Sequence, residues 1–187
     1  VPSGVDIDRF LPLAEEEKKS LRKKYGLPQD EFIFLHVGHF KEGRGLLELR
    51  MLTEYGEVLI VGSPSTEQDS IVKSELERSG CLLIDEYIES ISEVYQLSDC
   101  YVFPVEDESH SIQFPLSVLE AMSCNLPILS KRFGALPDWI NEGNGVCFIN
   151  DFSRIDDAVI DFETVNTRSK AKAYSWEQVV EKIQAVY

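Results

Sequence analysis

Apolar positions in this chain fall into short, nearly continuous runs bounded by turn-forming residues, with longer amphipathic stretches between them. The runs are FIFLHVG at 32–38, EVLIVG at 57–62, CLLI at 81–84, CYVFP at 100–104, LPILS at 126–130 and VCFI at 146–149. Runs of this kind read as strands buried on both faces. Between them lie helical patterns. A polar helix over 15–25 ends at Gly26, with Pro28 just beyond. Residues 44–55 carry Leu46, Leu47, Leu49 and Leu52 at helical spacing. Further helices are expected over 66–79, 90–97, 114–124 (with Pro115 in the first turn), 135–142, and twice more before the C-terminus. Strands alternating with helices predict an α/β fold, a doubly wound parallel sheet of Rossmann-like type. In such sheets ligands bind beyond the carboxyl ends of the strands.

The remaining features narrow the function. The chain has 187 residues, enough for one α/β domain. Residues 1–12 read as a lead-in or interdomain linker and 13–187 as a single domain. The absence of an initiator Met gives the expectation of a piece of a longer protein or a processed chain. Net charge is −15, from 18 basic and 33 acidic side chains. That surface disfavours nucleic acid and direct insertion into anionic membranes, and no apolar run approaches the ~18 residues of a span. Cys81, Cys100, Cys124 and Cys147 form no C-x-x-C pair. They read as reduced, buried thiols in a cytoplasmic protein.

Three places carry candidate chemistry. GHFKEGRG at 38–45 sets three glycines between a strand and a helix, with His39, Lys41 and Arg44 as donors. Such a turn lets backbone approach a phosphate. It is equally a plain strand-to-helix turn, since the spacing is neither the dinucleotide fingerprint nor a P-loop. Second, the stretch from 79 to 130 holds no Lys or Arg but many carboxylates. Among them Glu120 lies between the apolar Leu119 and Ala121 on LSVLEAMS. A carboxylate can accept two hydrogen bonds from a sugar or ribose diol. Glu120 also fits a surface position on an amphipathic helix, and Glu106, Asp107 and Glu108 a solvated loop. Third, Lys131 and Arg132 follow a strand, either as phosphate partners or as a surface pair. His36 reads as a satisfied core histidine and Trp139 as core against the sheet. No metal-ligand spacing, nucleophile elbow or H-E-x-x-H is present.

Several segments in order resemble one family: VPSGVDIDRF at 1–10, LRKKYGLPQDEFIFLHVGHFKEGRG at 21–45, LIVGSP at 59–64, SDCYVFP at 98–104, FPLSVLEAMSCNLPILS at 114–130, GVCFI at 145–149 and YSWEQVVEKIQAVY at 174–187. Together they resemble the C-terminal, donor-binding half of a GT-B glycosyltransferase of family 4 (glycosyl transferases group 1). The resemblance implies a hexosyltransferase-type enzyme of retaining mechanism in the full-length chain, with this domain inactive alone. It implies a nucleotide diphosphate-sugar as donor substrate, no cofactor and no metal. The acceptor, a glycan or lipid-linked molecule, would be met through an N-terminal half.

By the same resemblance Gly38, His39, Arg44 and Gly45 meet the donor diphosphate, with Arg44 the catalytic cation. Backbone N–H groups of Leu116 and Ser117 also meet the phosphates, and Glu120 binds the ribose. Ile112 and Gln113 fall at the donor-sugar position, and Tyr87 and Ile88 near the base. Two positions depart from the family pattern: His39 stands where it has arginine, and Ile112 where it has a second glutamate. These departures carry the alternative, a catalytically degenerate GT-B-derived module that binds nucleotide-sugar. A third reading is an unrelated doubly wound enzyme such as a nucleotide-sugar epimerase half.

Overall fold

The computed structural model describes residues 3–65, 67–157 and 164–185. Val1 and Pro2 of the expected lead-in, Thr66 of the expected helix 66–79, and Val186 and Tyr187 of the closing segment lie outside them. Six parallel strands form one sheet in the order β3-β2-β1-β4-β5-β6. They are β1 (Ile33–Val37), β2 (Glu57–Val61), β3 (Leu82–Ile84), β4 (Cys100–Phe103), β5 (Ile128–Ser130) and β6 (Val146–Phe148). The order runs outward both ways from β1 and β4, which are paired through Phe34 with Cys100 and Leu35 with Tyr101. The fold is therefore the expected doubly wound, Rossmann-like sheet. Its topological switch point opens a crevice above the carboxyl ends of β1 and β4.

Alternate strand residues feed two cores because successive side chains point to opposite faces. Ile33, Leu35, Leu59 and Val61 pack on one face with Tyr101, Val118, Leu119 and Met122. Phe34, Val58 and Ile60 pack on the other with Leu46, Leu49, Leu52, Val72 and Leu76. Seven α-helices flank the sheet among the described residues: α1 (Glu15–Lys24), α2 (Ser70–Arg78), α3 (Ser92–Gln96), α4 (Leu116–Ser123), α5 (Leu136–Trp139), α6 (Thr167–Lys172) and α7 (Trp176–Gln184). No helix among the described residues is long and apolar enough to cross a membrane. All four cysteines are buried and unbridged. The lead-in is part of the core: Val5 and Phe10 are buried, and the Arg168 guanidinium donates to the carbonyls of Phe10 and Ile7.

Some elements differ from the sequence pattern. The expected α-helix at 44–55 is a 3-10 segment, Leu46–Glu54. Its three buried leucines, Leu46, Leu49 and Leu52, recur every third residue. That spacing aligns them in one row at three residues per turn, whereas an α-helix would fan them apart. The acidic loop holds a short 3-10 turn, Glu108–His110, started by the Asp107 carboxylate accepting from Ser109 N–H. Pro115 is the cap residue of α4 and lies just outside its first turn. Trp139 is not sheet core. It is 37% exposed and lies against the rings of Phe114 and Tyr174, because α5 is one turn long and sits at the edge.

Candidate functional site

The turn after β1 is shaped by what its glycines touch. Gly45 has φ +70°, and an added Cβ would lie 2.3 Å from the Pro104 carbonyl oxygen just after β4. Only glycine combines that left-handed backbone with so close an approach. A Cβ at Gly38 would lie 2.6 Å from His36 Nε2 and 3.2 Å from Arg44 Nη2. The missing side chains therefore let the turn settle onto β4 and onto the Arg44 guanidinium.

Arg44 is 8% exposed, and burial lowers its pKa. Its Nη1 donates to the His110 carbonyl oxygen, while its Nε is buried without a hydrogen-bond partner. No carboxylate pairs with it among the described residues, so its charge is available to an anion. His39 is partly buried. Burial, then Arg44 and Lys41, push its pKa below the ordinary 6.5. His110, in the acidic loop, lies over Gly43, with its Nδ1 3.4 Å from the Asp107 carboxylate.

Across the crevice, α4 begins at Leu116 with no side-chain cap, so the N–H groups of its first turn face outward. Glu120 sits one turn along, half-buried. The Tyr95 hydroxyl donates to its Oε2 at 2.6 Å, which fixes the carboxylate. Burial raises the Glu120 pKa, opposed by the Tyr95 bond and by Arg9. Tyr101 stands between the two halves. Its hydroxyl donates to the Val37 carbonyl oxygen at 3.4 Å. Burial raises its pKa, with Glu120 adding to that rise and Arg44 opposing it. Sequence reasoning missed Tyr95 and Tyr101, because each looks like an ordinary core aromatic and Tyr95 lies 25 residues from its partner.

Beside Gly38 and His39 a cavity of about 330 Å³ opens over β1, β2 and β3, walled by Val61, Gly62, Tyr87 and Ile88 among others. Its volume suits a small ring system. Ile112 is 59% exposed, and Gln113 Nε2 donates to Glu108 at 2.7 Å. Lys131 is turned away from the crevice candidates: it is buried against Glu48 at 2.9 Å and donates to the Asn150 carbonyl. Arg132 pairs with Glu142 at 3.1 Å. His36 is buried as expected, but only half satisfied. Its Nδ1 lies 2.9 Å from the Val102 carbonyl oxygen, and its Nε2 has no partner.

The class that this fold defines is a Rossmann-like half of a GT-B architecture. Residues 33–162 match the family model described as glycosyl transferases group 1, and the chain belongs to that family. It is 28% identical over 214 residues to a D-inositol 3-phosphate glycosyltransferase of Geodermatophilus obscurus, covering 100% of this chain and 46% of that protein. The chain spans about half the length of the curated relatives it matches. Among solved structures, a sucrose-phosphate synthase from Thermosynechococcus elongatus superposes with TM-score 0.76 at 22% identity, over 100% of this chain and 51% of that one. HepE of Anabaena, solved in complex with UDP-glucose, superposes with TM-score 0.71 at 16% identity, over 97% of this chain and 56% of that one.

Proposed function

We infer that this chain is the donor-binding half of a retaining glycosyltransferase, taking a nucleotide diphosphate-sugar and passing the sugar to an acceptor held by an N-terminal half. The observation that carries this reading is geometric: Arg44, buried in the glycine turn after β1 with no carboxylate partner among the described residues, is bonded to the His110 carbonyl six residues before α4, the helix that carries Glu120. Arg44 and the start of α4 would meet the diphosphate, and Glu120, steadied by Tyr95, would accept from the ribose diol. The Tyr87–Ile88 wall of the cavity would take the base. The names of the relatives, a sugar transferase acting on an inositol phosphate and a protein solved with UDP-glucose, support the same donor class.

In the reaction, negative charge grows on the departing diphosphate as the sugar bond breaks. Arg44 is desolvated and already in place, so it stabilises that charge without reorganising at the moment of reaction. The first-turn N–H groups of Leu116 and Ser117 add donors and the positive end of the helix dipole. The reading includes a reducing, cytoplasmic setting, supported by four buried, unbridged thiols. The acceptor is a glycan or lipid-linked molecule, and this half alone transfers nothing.

Thermal shift with UDP, GDP and ADP tests the donor site. A nucleotide at ~100 times its Kd is expected to stabilise the chain by about 2.7 kcal/mol. No response to any of the three would discard the reading. A second reading, the degenerate module, is favoured by His39 in place of the family's arginine and by exposed Ile112. Under it, His39→Arg with Ile112→Glu raises donor affinity sharply; a fall in affinity sets that reading aside.

Glu120 also gives a pH-dependent prediction. Its raised pKa means the folded chain holds this proton more tightly than the unfolded one, so stability falls as pH rises above the ordinary carboxyl value of 4.5. Gln keeps an acceptor for Tyr95 and never ionises. Glu120→Gln is therefore expected to raise Tm at about pH 8, match wild type at about pH 4, and weaken nucleotide binding. A Tm difference that does not change with pH would show that the carboxylate carries no buried-charge cost.

A further inference from the structure

His36 is an expensive residue for its place. It lies in the middle of β1, in register with Ile60 of β2, and is 1% exposed. Its ring packs beside Tyr101 and Phe103 of β4, with centroids 6.2 and 6.3 Å away. A phenylalanine or leucine would fill that space with no polar atom to satisfy. The histidine instead leaves Nε2 buried and unpartnered, which is unfavourable for a desolvated polar atom. Burial, with Arg44 close by, pushes its pKa down to about 3, so the ring is neutral at any working pH.

The chemistry of the ring is then fixed. Nδ1 faces the Val102 carbonyl, which can only accept, so Nδ1 carries the proton. A neutral imidazole has one N–H, and Nε2 is left as a lone-pair acceptor. That acceptor presses on the same spot above Gly38 as Arg44 Nη2. Arg44 in turn has a buried Nε–H with no acceptor of its own. An orphaned acceptor and an orphaned donor thus sit on two neighbouring buried side chains beneath the glycine turn.

We propose that His36 is a positioning residue for Arg44: one bridging water, accepting from Arg44 Nε–H and donating to His36 Nε2, ties the inner edge of the guanidinium to the ring and so aims the outer N–H groups at an anion above Gly38. A neutral acceptor suits this task better than a carboxylate. Asp or Glu in the same place would orient the arginine but also cancel the charge that an anion seeks. The proposal rests on Arg44 being the cation of the diphosphate site.

Calorimetric titration of the 187-residue chain with UDP, GDP and inorganic pyrophosphate tests it. His36→Phe fills the space but has no acceptor. It is expected to bind about 10-fold more weakly, the loss of one hydrogen bond to a charged group, without loss of Tm. His36→Gln, which can place an amide oxygen near the Nε2 position, is expected to recover most of that loss. A purely packing role would give the reverse order, with Phe tolerated and Gln damaging, and would overturn the proposal. The ¹⁵N resonance of His36 Nε2 in the wild-type chain gives a readout that needs no variant. It is expected to show an acceptor nitrogen whose shift changes when Arg44 is replaced by methionine, and an unchanged shift overturns the proposal. Should no diphosphate bind the wild-type chain, the donor-site reading fails while that resonance still decides the coupling of His36 to Arg44.

Discussion

Arg44→Ala is expected to weaken nucleoside diphosphate binding by about 10²-fold and to slow sugar transfer in a full-length enzyme by a similar factor. Hydrogen bonds to a charged partner are worth about 1.5–3 kcal/mol, and losing a donor aimed at developing negative charge costs about 10²–10³ in rate. Arg44 is the single buried cation of the glycine turn, with no carboxylate sharing it among the described residues. Lysine would restore a point charge but not the planar fork, so Arg44→Lys is expected to fall between alanine and wild type. Stability should move the other way. The guanidinium is held in a desolvated place for the sake of a ligand, and Arg44→Met, which keeps the volume and drops the charge, is expected to hold or raise Tm. Calorimetry with UDP and GDP, alongside thermal denaturation, checks both halves. Undiminished binding by the alanine variant would remove Arg44 from the site.

Gly45→Ala should be a strongly damaging single-methyl change. The residue has φ +70°, and its new Cβ would meet the Pro104 carbonyl oxygen at 2.3 Å. Left-handed strain of about 1–2 kcal/mol adds to overpacking of about 1–3 kcal/mol, because the clash is with backbone that cannot rotate aside. Gly26 is the matched control. It has nearly the same φ, +68°, but nothing within 4 Å of an added Cβ, so Gly26→Ala should cost the strain alone. Chemical denaturation of the two variants separates the effects. Gly45→Ala is expected to lose roughly 2–5 kcal/mol and its nucleotide response. Equal losses in both would mean that the turn does not rest on Pro104.

The sheet was legible because parallel strands are buried on both faces and so appear as unbroken apolar runs. β1, β2 and β4 announce themselves in FIFLHVG, EVLIVG and CYVFP. What the pattern hid was periodicity at finer grain. Leu46, Leu49 and Leu52 fit a three-residue repeat as well as a 3.6-residue one over so short a span, and the choice between them came from the sheet they cover. Trp139 looked like core because it is large and apolar, but a one-turn helix at the edge leaves it partly in solvent.

The site was legible in its endpoints and not in its supports. Arg44 stands out between glycines, and Glu120 stands out on an apolar helix face. Tyr95, Tyr101 and His36 lie inside apolar segments and look like filling. Their roles come from partners 25 to 66 residues away, Tyr95 on Glu120, Tyr101 on Val37 and His36 on Val102. Single-sequence periodicity carries no information at that range. The acidic loop was legible as solvated, and Glu106, Asp107 and Glu108 are exposed; what stayed hidden was the Arg44 bond to the His110 carbonyl, which joins residues 66 apart.

A crystal structure of the chain grown with UDP or GDP tests the whole account most directly. One nucleotide is expected to bridge the β1–β4 crevice, with the diphosphate against Arg44 and the start of α4, the ribose hydroxyls on Glu120, and the base against Tyr87 and Ile88. A nucleotide bound elsewhere, or one that touches Arg44 while its ribose lies clear of Glu120, would contradict it.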